Sequence, residues 1–296
     1  MEASILIVSR NRCAELHNTL KMLQDYVNLE CHEILVFLDG CSDDSEKLIN
    51  LYPEVKWEIS KENLGASKAR NILYKKARGT IFFGFDDDSH PLQPDFIKIT
   101  KKIFSENNKL GIIAFKEIKG IFKSDEEIPE SFKKEKQDYL VKDFLGCGFA
   151  IKKKVYERTR GFPVWIDIYG EEVCVAMETL DLGYNILFTY KVLVNHRTDK
   201  QKLNIAGANY YRFQKQLKNT AFFYMVYYPF PLVLKKIVQL YLMNFMKYAL
   251  KDRNYFKNFL YSFWQILTSM RKILFFRKQI SRETLYKFNR LSNPEY

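Results

Sequence analysis

Three consecutive carboxylates, Asp86-Asp87-Asp88, follow the apolar run TIFFGF with nothing between. Carboxylates this close repel one another unless a cation sits among them, and hard oxygen donors favour Mg2+ or Mn2+, ions that in turn hold a diphosphate. An acidic turn leading into a helix would also explain the run, so its position matters: it ends what reads as a central strand. Asp39 ends another apolar run and opens Asp39-Gly40-Cys41-Ser42-Asp43-Asp44. Its carboxylate suits a nucleobase N–H, while Ser42 or Asp43 suits a helix cap. Asn63-Leu64-Gly65 leads into Ala66-Ser67-Lys68-Ala69-Arg70-Asn71. Small residues there let a helix approach a sheet, and Arg70, one turn in, would reach phosphate oxygens. A second acidic pair, Glu171-Glu172, opens a helical pattern. It either complements the helix macrodipole or supplies a base for an acceptor hydroxyl. His196, in LVNHR, is a lone histidine that could be structural or a ligand, and His90 stands beside the acidic run.

These residues need a scaffold that brings strand ends together. Apolar runs at Ser4–Val8, Glu33–Leu38, Val55–Ile59, Thr80–Phe85 and Leu110–Phe115 alternate with helix candidates at Ala14–Tyr26, Asp43–Leu51, Ala66–Ala77 and Pro94–Ser105. That alternation predicts an α/β fold with a parallel sheet covered on both faces, and ligands beyond the carboxyl ends of its strands. Gly120–Gln137 is charged, contains Pro129 and reads as an exposed loop. Phe149–Ile151, Asn185–Phe188 and Val192–Val194 are short strand candidates. The helix from Glu171 carries Val173, Ala176, Met177 and Leu180 on one face, so it should pack on the sheet. From Ile205 to Asn289 the pattern is helical.

The runs SILIVSRNR, EILVFLDGCSDD, NLGASKARN and FFGFDDDSHPLQPD resemble, in order and spacing, the family 2 glycosyltransferases. The resemblance extends over residues 3–200. It implies a GT-A fold (a Rossmann-like nucleotide-binding sheet), an inverting mechanism, a DxD metal motif and a nucleotide-sugar donor. By that resemblance Val8 and Arg10 line the nucleoside and Asp39 holds the base. Arg70 approaches the diphosphate, Asp86 and Asp87 the ribose and donor sugar, and Asp88 binds Mn2+ or Mg2+ with His196 as a further ligand. Glu172, or Glu171 beside it, becomes the catalytic base. Family members often carry Pro at the position of Val8, an aromatic near Arg10 and a second Asp in place of Leu38.

The division that follows is a nucleotide-sugar half, 1–115, an acceptor half of the same domain, 116–204, and a helical extension, 205–296. Charge marks the last boundary. Of the formal net +12, residues from 201 onward hold 17 Lys and Arg against Asp252, Glu283 and Glu295, a net of +14, leaving −2 for the body. The longest uncharged run, Asn219–Leu234, is 16 residues with two prolines inside, short of the ~20 apolar residues that span a bilayer. The extension therefore reads either as cationic amphipathic helices at a membrane surface or as a helical subdomain packed on the body. Five cysteines without CxxC spacing suggest buried free thiols, and the opening MEASILIVSRNR is too short in apolar residues for a secretory signal. Both point to the cytoplasm, and the basic extension to peripheral attachment at the inner face of a membrane.

The expected function is transfer of a sugar, from UDP by preference, to a saccharide or lipid-linked acceptor in surface polysaccharide or glycan synthesis. A basic nucleic-acid-binding protein is the main alternative, and the acidic cluster argues against it, because it would repel a polyanion. A non-catalytic sugar-nucleotide-binding module would differ only in turnover.

Overall fold

The computed structural model describes residues 1–122, 124–134, 136–198 and 208–295. The first four apolar runs form β1 (Ala3–Ser9), β2 (His32–Asp39), β3 (Lys56–Ser60) and β4 (Ile81–Asp86). They pair in parallel in the order β3-β2-β1-β4. Between them lie α1 (Cys13–Tyr26), α2 (Leu48–Leu51, entered through a 3-10 turn at Asp44–Lys47) and α3 (Ala66–Lys76). Asp43 starts that turn by accepting the Ser45 N–H, as a capping side chain should.

The sheet then departs from the all-parallel expectation. It continues through β5 (Ser89–Pro91), α4 (Phe96–Glu106), β6 (Leu110–Lys119), β7 (Tyr139–Val141) and β8 (Gly148–Lys152). α5 (Lys153–Tyr156), α6 (Glu171–Asp181) and β9 (Asn185–His196) follow. The strand order is β3-β2-β1-β4-β8-β6-β9-β5, with β7 also on β9. β8 enters antiparallel between β4 and β6, so the fifth run does not neighbour the fourth. Gly84 permits this: a side chain there would collide with the ring of Phe149, its partner on β8. The runs expected as two strands near 185 and 192 form the single strand β9. It absorbs the break through a bulge in its register with β6, between Phe115 and Lys116.

Period-two alternation divides the sheet between two cores. Ile5, Ile7, Phe83 and Phe85 face Leu16 and Leu20 of α1 and Phe96 and Ile103 of α4. Leu6, Phe82, Phe149 and Ile151 face Leu73 and Tyr74 of α3 and Met177 and Leu180 of α6.

Helices α7 (Ala208–Tyr227), α8 (Leu232–Asn244), α9 (Arg253–Phe275) and α10 (Arg282–Arg290) complete the chain, with a π-helical turn at Phe245–Ala249. The helical pattern is interrupted near Pro229 and Pro231 and again at Arg277–Ser281, and its first residues, 205–207, lie outside the described ones. Phe222, Phe223 and Tyr227 of α7 and Leu285 and Phe288 of α10 belong to the second core. The buried carboxylate of Glu178 on α6 accepts from Tyr227 Oη at 2.8 Å, Lys278 Nζ at 3.0 Å and Arg160 Nε at 2.7 Å. This part of the extension is thus packed on the body. The described residues of the stretch 120–137 are largely exposed, as expected, although Ile128 is buried. All five cysteines are free, but only Cys147 and Cys174 are buried; Cys31 is exposed and Cys13 and Cys41 are partly so.

Candidate active site

Asp86 closes β4, and the chain turns tightly through Asp87 and Asp88 into β5. Ser89 fastens the turn: its Oγ accepts the Asp86 N–H at 2.9 Å and donates to the Cys147 carbonyl at 2.7 Å. Pairing of Ser89 with His196 places the end of β9 beside the acidic turn. One carboxylate oxygen of Asp86 and one of Asp88 and a ring nitrogen of His196 all lie within 4.8 Å of one another. Asp88 Oδ1 is 3.2 Å from His196 Nε2, yet it is buried without a well-aligned hydrogen bond. Two hard oxygens and an imidazole, with one buried oxygen unsatisfied, fit a divalent ion such as Mn2+.

The surroundings keep the cluster ionised unevenly. Burial would raise the Asp88 carboxyl, but His196 and Arg12 outweigh it and hold it down at about 2. Burial pushes Asp87 up to about 7, against the pull of Arg12. Arg12 Nη2 lies 2.6 Å from Asp88 Oδ2 and Nη1 3.2 Å from Asp87 Oδ1, and Ser9 Oγ donates to Asp87 at 2.7 Å. His196 Nδ1 sits 2.5 Å from Glu117 Oε1. That contact fixes the ring and turns Nε2 towards the turn, as carboxylate partners of metal-bound histidines do. Cys147 Sγ completes a second group with Glu117 and His196.

Opposite the turn, α6 begins after Tyr169 (φ 67°) and Gly170 (φ 100°), a left-handed pair that aims the first helical residues inward. Glu171 is 3% exposed and the Glu172 side chain 18%. Arg70, one turn into α3, bridges the two acidic regions. It donates to Asp86 Oδ1 at 2.6 Å, Glu172 Oε1 at 2.9 Å and Glu171 Oε1 at 3.1 Å. Gly146 leaves room for this bridge, because a Cβ there would sit 2.5 Å from Glu172 Oε1. Burial raises both glutamates, helped by the charge of Glu172 at Glu171 and of Asp86 at Glu172, with Arg70 opposing. Nearby Asp143 is raised to about 8, by burial and then by Glu172.

The structure thus brings Asp86, Asp87, Asp88, His196, Arg70, Glu171 and Glu172 into one cluster. Val8 and Arg10 lie at the end of β1, Arg10 exposed. Asp39 is buried, with its two oxygens accepting the N–H groups of Leu64 at 2.7 Å and Gly65 at 3.0 Å. It fixes the loop ahead of α3. His90 points away, its ring between Arg197 and Asp125. Arg12 and Glu117 received no role from the sequence, since their partners lie 76 and 79 residues away. The only signal available was the position of Arg12 just past the first strand.

The model of the family described as "Glycosyl transferase family 2" matches residues 4–160. The chain belongs to glycosyl transferase family 2. It is a glycosyltransferase with the GT-A fold. An uncharacterized protein of Haemophilus influenzae is 29% identical over 175 residues, covering 54% of this chain and 92% of that one. Residues 1-349 of S. aureus TarS, in complex with UDP-GlcNAc, superpose with a TM-score of 0.60 at 14% identity, over 88% of this chain and 81% of that one. The mannosyltransferase PcManGT from Pyrobaculum calidifontis, in complex with GDP-Man and Mn2+, gives a TM-score of 0.57 at 13% identity, over 97% and 83%. At such identities the superpositions speak for the fold of this glycosyltransferase. Among the described residues no helix is long and apolar enough to cross a membrane.

Proposed function

We propose that this glycosyltransferase moves a sugar with inversion from a nucleotide-diphosphate donor, a UDP-sugar by preference, to a saccharide or lipid-linked saccharide acceptor. The observation that carries the reading is the facing pair of acidic groups: Asp86, Asp88 and His196 on one side, Glu172 on the other, joined through Arg70. Asp88 and His196, with Asp86, would hold a Mn2+ or Mg2+ ion, and Glu117 and Arg12 keep those side chains in place. When bound, the ion neutralises the diphosphate leaving group. Val8, Arg10, Asp39 and Asp87 are assigned to the nucleoside and donor sugar, with Arg70 at the diphosphate end. Asp39 acts in part through the Leu64–Gly65 loop that it orders.

Glu172 takes the proton from the acceptor hydroxyl as that oxygen attacks the anomeric carbon. Its burial raises its affinity for a proton against the pull of Arg70, as suits a base, and it is the more accessible of the two glutamates. Glu171, deeper, positions Arg70. The acceptor and the basic extension support work at the surface of a membrane, on its cytoplasmic side, in surface polysaccharide or glycan synthesis.

The test is a thermal-shift panel of UDP- and GDP-sugars with and without Mn2+. A cognate donor at a hundredfold excess over Kd stabilises the fold by about 2.7 kcal/mol, and only when the metal is present. No shift with any donor, or the same shift with the metal chelated, would overturn the reading.

A further inference from the structure

The strongest unexplained feature lies far along the chain from the acidic cluster. Helix α9 buries one stripe against the rest of the protein, Phe259, Ser262, Ile266 and Ile273, and presents a second stripe outward. That outer stripe is Phe256, Leu260, Phe263, Leu267, Met270 and Leu274, at alternating spacings of four and three, with exposures from 38% to 50%. Trp264 (62% exposed) and Phe275 (84%) stand beside it. On α8 and the π turn, Leu234, Val238, Leu242, Met246 and Leu250 recur every four residues and are all exposed. A helix apolar on both sides has a second partner besides its own core.

Charge identifies that partner. Residues 232–276 hold eight Lys and Arg and a single acid, Asp252. Asp252 is engaged as the cap of α9, accepting the N–H groups of Asn254 and Tyr255, and accepts the Tyr210 hydroxyl as well. A second copy of the chain would set these cations against their equals. An anionic bilayer meets both demands, because Lys and Arg remain among the headgroups while Leu, Met, Phe and Trp sink about 5–10 Å to the acyl boundary. A nucleic acid would satisfy the cations and leave the aliphatic stripe in water.

We infer that α8, the π turn and α9 form a docking face for an anionic phospholipid surface. The position of α7 adds a consequence. Lys215 and Lys218 hold Asp167, and Asn219 donates to the carbonyls of Ile168 at 2.7 Å and Tyr169 at 2.9 Å, directly ahead of Glu171 and Glu172. The docked hairpin therefore fixes the membrane relative to the proposed base. In this the inference deepens the membrane-surface reading of the acceptor given above and rests on it.

The test uses the full chain and vesicles of equal parts phosphatidylcholine and phosphatidylglycerol. The protein co-sediments with them at low salt and is largely released at high salt. Acyl-brominated lipid quenches tryptophan emission in the parent, and Trp264→Phe removes that quenching. Replacing Leu260, Leu267 and Leu274 by Gln weakens partitioning by roughly tenfold or more. Because these side chains are already exposed, the thermal midpoint stays near that of the parent. Failure to bind vesicles, unchanged binding by the triple variant, or quenching that survives Trp264→Phe overturns the inference. Self-association lost in the triple variant without vesicle binding assigns the face to a second copy, and retention on single-stranded DNA without vesicle binding assigns it to nucleic acid. Metal-dependent stabilisation by UDP-sugars, measured on the same preparation, separates loss of the docking face from loss of the transferase reading.

Discussion

The two acidic groups that face each other across Arg70 are built from the same functional group, yet Asp88 in one and the glutamates in the other are tuned in opposite directions, while Asp87 beside Asp88 rises with burial. At the turn after β4, Asp88 is held at about 2 by His196 and Arg12 despite its burial, so it is a carboxylate at any working pH. At the start of α6, burial raises Glu171 and Glu172, and Arg70 is their cation. The first environment suits permanent negative charge and a metal; the second suits a group that gains and loses a proton. Neighbouring cations make the difference: the turn has Arg12 and His196, whereas the glutamates share one arginine with Asp86.

The comparison breaks most visibly at Glu172. Glu172→Gln keeps the shape and removes the proton acceptor, so transfer should fall about 10²–10⁴-fold with donor binding retained. Glu171→Gln should cost less. The reverse order in a rate assay would move the base to Glu171, and near-normal transfer by both variants would remove the α6 cluster from catalysis. Next comes the bridge. Arg70→Met leaves Asp86, Glu171 and Glu172 without their shared cation, and should cost about 3–5 kcal/mol of stability in denaturant melts. A loss within error would mean that the three carboxylates find other partners.

A smaller effect sharpens the metal side. Glu117→Gln leaves Asp86, Asp88 and His196 in place but loosens the imidazole, so Mn2+ affinity by titration should drop about 10–100-fold. Unchanged affinity would make Glu117 a packing residue. A further effect is in the pH dependence of stability. Glu171 and Asp143 bind protons more tightly folded than unfolded, both with values of about 8. Their contribution therefore favours the fold at low pH and declines as pH rises from the ordinary carboxylate range towards about 8. Asp143→Asn should flatten that decline in melts across the window, and an unaltered slope would place the decline elsewhere.

Strand ends made most of the donor side legible. Asp39, Arg70 and Asp86 to Asp88 stand where apolar runs stop, and the structure puts them at the ends of parallel strands or one turn into a helix. What escaped depends on pairings between distant segments. Nothing local to Gly148–Lys152 says that it runs antiparallel between β4 and β6, and that insertion determines what neighbours Cys147. Arg12 and Glu117 look like ordinary charged residues until β9 delivers His196 beside the turn. Asp39 shows the converse: its place was readable, but its hydrogen bonds to the Leu64–Gly65 loop were not. In the extension, composition revealed the excess of cations without distinguishing α7, which enters the core, from α9, which presents an apolar stripe to solvent.

The claim that the turn after β4 holds a metal tied to a nucleotide diphosphate is tested most directly by Mn2+ electron paramagnetic resonance with UDP present. The parent should take up Mn2+ more tightly with UDP than without it, and Asp88→Ala should lose that coupling while still melting cooperatively, at a midpoint lowered by the loss of the carboxylate that Arg12 and His196 hold. Undiminished, UDP-linked Mn2+ uptake by Asp88→Ala would contradict the account.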